Sequence, residues 1–170
     1  MSAPRSALDL RTPGPRAAED IRRGTMRLLA ALGLAPLAEV PLPDGRRLDV
    51  LALAPEGSFW AVEIKSGPAD FRADRKWPEY RRFADRFFFA VGPDFPLDLL
   101  PADTGLVVAD GFAATLVREA PLEPLPPARR RALLLRFARL AAGRLLRLAD
   151  PFCEPGCAAQ PPSNSHSSIR

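Results

Sequence analysis

The chain has 170 residues, enough for one domain, and 47% of them are apolar, so a core of ordinary size is available. Its net charge of +4 favours an anionic partner, with nucleic acid ahead of a membrane surface. A single histidine, His166, and two cysteines, Cys153 and Cys157, argue against histidine catalysis and a zinc site. They leave carboxylates, Lys, Arg and hydroxyls to carry any chemistry, and the cysteines read as thiols of a reducing cytoplasm.

In chain order, residues 1–15 are rich in Pro, Ser and Arg and are expected to be a flexible segment without the apolar core of a signal peptide. Helical spacing of Ile21, Met26, Leu29 and Leu32 predicts a helix over 16–33, stopped at Gly33. Runs 37–42 and 48–53 flank Pro43-Asp44-Gly45, a hairpin pattern, and Pro55-Glu56-Gly57 turns the chain into Phe59–Lys65. Three antiparallel strands in succession follow. A helix over 70–85, interrupted at Pro78, leads to a buried strand at Arg86–Val91. A strand pair at Gly105–Ala109 and Ala114–Arg118 comes next.

A closing helix over 128–149 is expected to bury Leu133, Phe137, Leu140, Ala141, Leu145 and Leu148. Residues 150–170 are Pro/Ser-rich and are expected to be a disordered tail. The order predicts an α/β protein whose mixed sheet contains a three-strand meander flanked by helices, in one domain over 16–149. No apolar run spans a bilayer and no glycine-rich phosphate loop is present.

On the third strand Glu63 and Lys65 share a face, roughly 7 Å apart along the chain. Asp49 falls on the neighbouring strand, and a three-residue hairpin loop would set Glu39 opposite it. Three carboxylates on one sheet face repel unless a cation collects them. The expected metal set is therefore Asp49, Glu63, the Ile64 carbonyl and Glu39, binding Mg²⁺ or Mn²⁺. Lys65 could orient a water or stabilise negative charge on a phosphodiester. A Glu and Lys two apart are also the ordinary pattern of a solvated strand face. Glu19 or Asp20 on the first helix could also reach the metal.

Arg46, Arg47, Arg75, Lys76 and Arg81 are the expected DNA contacts, with Trp77 mainly in the core. The run Arg129–Arg131 opens a helix where the dipole disfavours cations, and it is expected to be solvated.

With Asp49, Glu63 and Lys65 in place, the arrangement resembles the PD-(D/E)XK nuclease superfamily. The runs RRLDVLAL, VEIKSGPADFRADRKWPEY and DRFFFAV resemble, more specifically, the MmcB family of bacterial DNA-repair proteins. The resemblance implies a restriction-endonuclease-like core and a DNA-repair role. Two readings follow: a metal-dependent DNA endonuclease, or a non-catalytic DNA-binding adaptor on the same fold. Oligomeric state is left open, a homodimer included.

Overall fold

The computed structural model describes residues 15–152. The segment 1–14 and the stretch 153–170, with Cys153, Cys157 and His166, lie outside the described residues. The elements run α1 (Pro15–Ala31), β1 (Ala35–Pro41), β2 (Arg47–Leu53), β3 (Phe59–Lys65), α2 (Pro68–Ala73), β4 (Arg86–Val91), β5 (Gly105–Ala109), β6 (Ala114–Arg118) and α3 (Pro127–Ala149). One six-stranded sheet has the order β1-β2-β3-β4-β5-β6. The meander β1-β2-β3 is antiparallel, β3-β4-β5 are parallel, and β6 closes antiparallel. The mixed sheet and its meander therefore stand as expected.

Local chemistry sets the joints. α1 ends where Gly33 takes φ +82°, and Leu34 N–H reaches back to the Leu29 carbonyl at 3.0 Å, a glycine C-cap. Pro43-Asp44-Gly45 is a three-residue loop closed by Leu42 N–H on the Arg46 carbonyl at 2.7 Å, with Gly45 at φ +82°. Between β3 and β4 the expected long helix is absent. α2 stops at Ala73, and Trp77–Phe83 forms a 3-10 segment instead. Pro78 removes an N–H and restricts Lys-Trp before it, so a continuous α-helix cannot be maintained there.

Alternation along β3 divides the core. Phe59 and Ala61 join Phe87, Phe89, Phe83, Leu133 and Phe137 on one side. Val62 and Ile64 join Ile21, Leu29, Val50 and Phe88 beneath α1 on the other. Burying a residue such as Phe59, Phe88 or Phe89 completely contributes about 1.5–3 kcal/mol. Trp77 is half-buried and lies 5.7 Å from Phe87 and 5.2 Å from Phe89, ring centre to ring centre, as a core residue. Gly24 interrupts α1 with a poor helix former because α1 approaches the β5–β6 turn closely. A Cβ there would stand 2.3 Å from the Asp110 carbonyl oxygen.

Two expectations about α3 are corrected. Of its residues only Leu133 and Phe137 are buried, while Leu145, toward the outer side of the helix, and Leu148, in its last turn, are 67% and 82% exposed. Arg130 is not solvated at the helix start. Its guanidinium grips Asp85 with contacts of 2.6 and 2.9 Å. Asp85, 1% exposed, also accepts Phe59 N–H at 2.7 Å and Leu125 N–H at 2.8 Å, tying β3, the strand-to-helix connection and α3 together.

Candidate active site

The β2–β3 register runs from Leu53↔Phe59 to Val50↔Val62, and one step further it places Asp49 opposite Glu63. There the ladder gives way to a side-chain contact, with Ile64 N–H donating to Asp49 Oδ2 at 2.8 Å. On the other edge, Ala38↔Val50 and Val40↔Leu48 bracket Glu39 against Asp49, as the three-residue loop required. Asp49, Glu63 and Lys65 thus meet at the carboxyl end of a parallel-paired strand, where open α/β sheets bind ligands. A cleft of about 430 Å³ opens over them, lined also by Arg22, Glu39 and Asp70.

The group is buried, Glu63 to 6% exposure and Lys65 to 3%. Lys65 Nζ donates to Glu63 Oε1 at 3.3 Å and to Asp74 Oδ2 at 2.6 Å. Asp74 caps the end of α2, and its other oxygen accepts Lys76 N–H at 2.8 Å, which fixes the carboxylate. Glu63 Oε2 is buried with no hydrogen-bond partner among the described residues. A lone buried carboxylate oxygen is costly, and it is the orphaned acceptor a cation or proton would satisfy.

Burial, with the charge of Asp49 added, pushes the Glu63 carboxyl up to about 8. Burial also raises Asp49, against the Ile64 N–H and Lys65, which pull it down. For Lys65 burial works downward, but Glu63 and Asp74 outweigh it and the ammonium titrates above its ordinary range. Asp74 is pushed up by burial and pulled further down by Lys65 and its backbone donors, so it stays ionised.

The expected cluster of three carboxylates is not assembled. Among the described residues no group of three His, Cys, Asp or Glu is placed to hold a metal ion. Glu39 sits at φ +53°, and its carboxylate is taken by Arg22 at 3.0 Å and by Arg47. Glu19 lines the cleft but pairs with Arg22, and Asp20 pairs with Arg23.

The expected DNA contacts also divide. Arg47 is 65% exposed beside Glu39, and Arg75 and Lys76 are exposed next to Asp74. Arg46 instead pairs with Glu79 and lies 4.0 Å from Asp44. Arg81 is held by Asp103 at 2.7 Å and by Glu123, and it does not line the cleft. The spacing rules missed Asp74 and Arg22. Nothing in the sequence marks Asp74 beyond its charge, and nothing sets Arg22 apart from the other arginines of the first helix.

A second groove of about 610 Å³ shares Glu19, Arg22 and Glu39 with the cleft and continues along α1 past Arg23, Arg27 and Arg144. Arg27 donates to the carbonyls of Gly111 and Phe112, and Arg144 to those of Ala38 and Glu39. Bonded to neutral acceptors, both keep their full positive charge.

The family model for MmcB-like DNA repair proteins matches residues 5–152. A solved structure, a protein of unknown function from Silicibacter pomeroyi, is 46% identical with a TM-score of 0.76. The alignment covers 88% of this chain and 99% of that one. No curated protein matches the chain. No helix among the described residues is long and apolar enough to cross a membrane.

Proposed function

The chain belongs to the MmcB-like DNA repair protein family, and on that footing we propose that it is a divalent-metal-dependent DNA endonuclease with a restriction-endonuclease-like core over 16–149. The observation that carries this reading is the pairing of Asp49 with Glu63 beneath a cleft, one Glu63 oxygen buried without a partner among the described residues. The residues present fit Mg²⁺ or Mn²⁺. Asp49 and Glu63 would hold the ion, with the Ile64 carbonyl and water completing its shell, since Mg²⁺ commonly takes only one or two carboxylates. Such an ion would supply Lewis acidity toward the phosphodiester and lower the pKa of bound water.

The chain's own groups define the remaining work. Lys65 is kept protonated by Glu63 and Asp74, so it serves as a hydrogen-bond donor to a phosphoryl oxygen gaining charge and not as a general base. Asp49 is oriented by the Ile64 N–H, which leaves its second oxygen for the ion. Arg22, Arg27 and Arg144 along the α1 groove, with Arg47 beside Glu39 and the exposed Arg75 and Lys76 next to Asp74, would contact phosphates. We assign Glu39 to ordering Arg22 and Arg47.

A second reading, a DNA-binding adaptor without cleavage, is favoured by the 2.6 Å contact that occupies the Lys65 ammonium with Asp74. One experiment separates the two. Full-length protein with Mg²⁺ or Mn²⁺ is incubated with labelled single-stranded, duplex, nicked and branched DNA. Cleavage lost in Asp49→Asn, Glu63→Gln and Lys65→Ala is expected. Binding without cleavage on every substrate removes the catalytic reading.

A further inference from the structure

The outer side of α3 carries an apolar stripe that nothing among the described residues covers. Leu135, Ala138, Ala142 and Leu145 follow at spacings of three and four, the seam pattern of paired helices. Leu135 is 58% and Leu145 67% exposed. Pro127–Ala149 contains seven arginines and no Asp or Glu. Arg130 is neutralised by Asp85, whereas Arg131 and Arg139, which border the stripe, make no ion pair among the described residues.

We propose that this face docks an acidic amphipathic helix of a partner protein, its apolar side chains packing over Ala138 and Ala142 and its carboxylates meeting Arg131 and Arg139. Charge complementarity selects that occupant. A second copy would offer the same acid-free helix and set arginine against arginine. DNA would satisfy the arginines but leave the leucines in water. A bilayer favours a continuous face of large apolar side chains, whereas the middle of this stripe is two alanines, which admit a neighbouring helix closely. The proposal is independent of the carboxylate cleft and of any nuclease activity.

The test uses full-length protein and a labelled synthetic helical peptide of three heptads, with leucine at the seam positions and glutamate flanking them. A twin peptide carries lysine in place of glutamate. The acidic peptide is expected to bind and the lysine twin not to bind. Affinity should fall about tenfold or more in Leu135→Gln/Leu145→Gln and in Arg131→Glu/Arg139→Glu. These positions are exposed, so melting curves and circular dichroism should match the parent chain. Equal binding of both peptides overturns the proposal. So does failure of the acidic peptide to bind, or tighter binding to phosphatidylcholine/phosphatidylserine vesicles than to that peptide. Self-association abolished by the leucine substitutions, in sedimentation, would also overturn it in favour of a second copy.

Discussion

Lys65 Nζ lies 2.6 Å from Asp74 and 3.3 Å from Glu63, so the one lysine beside the carboxylate pair is held from both sides. Its charge is secured by a residue nine positions on, at the far end of α2. Asp74→Asn is expected to lower stability by about 1–2 kcal/mol, between the values for exposed and buried pairs, because Asp74 is partly exposed. Urea unfolding measures this. An unchanged midpoint would mean the contact contributes nothing.

Glu63 gives stability a pH dependence in the metal-free protein. Its folded-state pKa, about 8, exceeds the ordinary 4.5, so the folded chain holds this proton more tightly. That contribution is fully present below about 4.5 and is lost as pH rises through about 8, at about 1.4 kcal/mol per pH unit inside the window. Asp74 and Asp85 are shifted the other way and act only below the ordinary 3.8. Chelator-treated protein should therefore unfold at lower denaturant at about pH 9 than at about pH 6. Glu63→Gln should flatten the difference, and a difference that survives that substitution belongs to another group.

Metal titration distinguishes the carboxylates. Calorimetry with Mn²⁺ should show binding that Asp49→Asn and Glu63→Gln abolish. Glu39→Gln should weaken it by less than about tenfold, since the Glu39 carboxylate is already engaged by Arg22 and Arg47. Equal loss in all three variants would make Glu39 a ligand.

Salt dependence maps the DNA path. Arg27→Gln and Arg144→Gln should each weaken DNA binding and reduce the slope of log affinity against log salt by about one. Arg81→Gln should leave the slope unchanged, because that side chain is committed to Asp103 and Glu123. The reverse pattern would move the DNA away from the α1 groove.

Asp85→Ala should lower stability by about 3–5 kcal/mol, because it strands Arg130 and two buried backbone N–H donors. Thermal unfolding of Asp85→Ala, Arg130→Ala and the double variant gives the coupling between them. Additive losses would show that the two side chains act independently.

Much of this molecule is decided by short-range pattern. Loop residues at Pro43–Gly45 and Pro55–Gly57 set the hairpin lengths, hairpin length sets register, and register sets Asp49 opposite Glu63 and Glu39 opposite Asp49. Alternation along Phe59–Lys65 likewise puts Glu63 and Lys65 on one face. The turns and the shared face were legible because each depends only on residues adjacent in the chain, whereas the Asp49–Glu63 register was left open until the sheet set it.

What a side chain pairs with was not legible, since it depends on which charged group from a distant segment arrives at ion-pair distance. Asp74 takes Lys65, Arg22 takes Glu39, Arg130 takes Asp85 and Asp103 takes Arg81. Among twenty-two arginines and twenty carboxylates, composition cannot rank such pairings. The exposure of Leu145 was hidden for a similar reason: helical spacing defines an apolar arc, but packing decides which part of that arc meets the sheet. The sequence by itself determined the strands, the turns between them and the face that Glu63 and Lys65 share, while the register that sets Asp49 against Glu63 came from the sheet. Only the tertiary structure decided which of those charges are free to act, because Coulomb attraction and burial are set by distance in space.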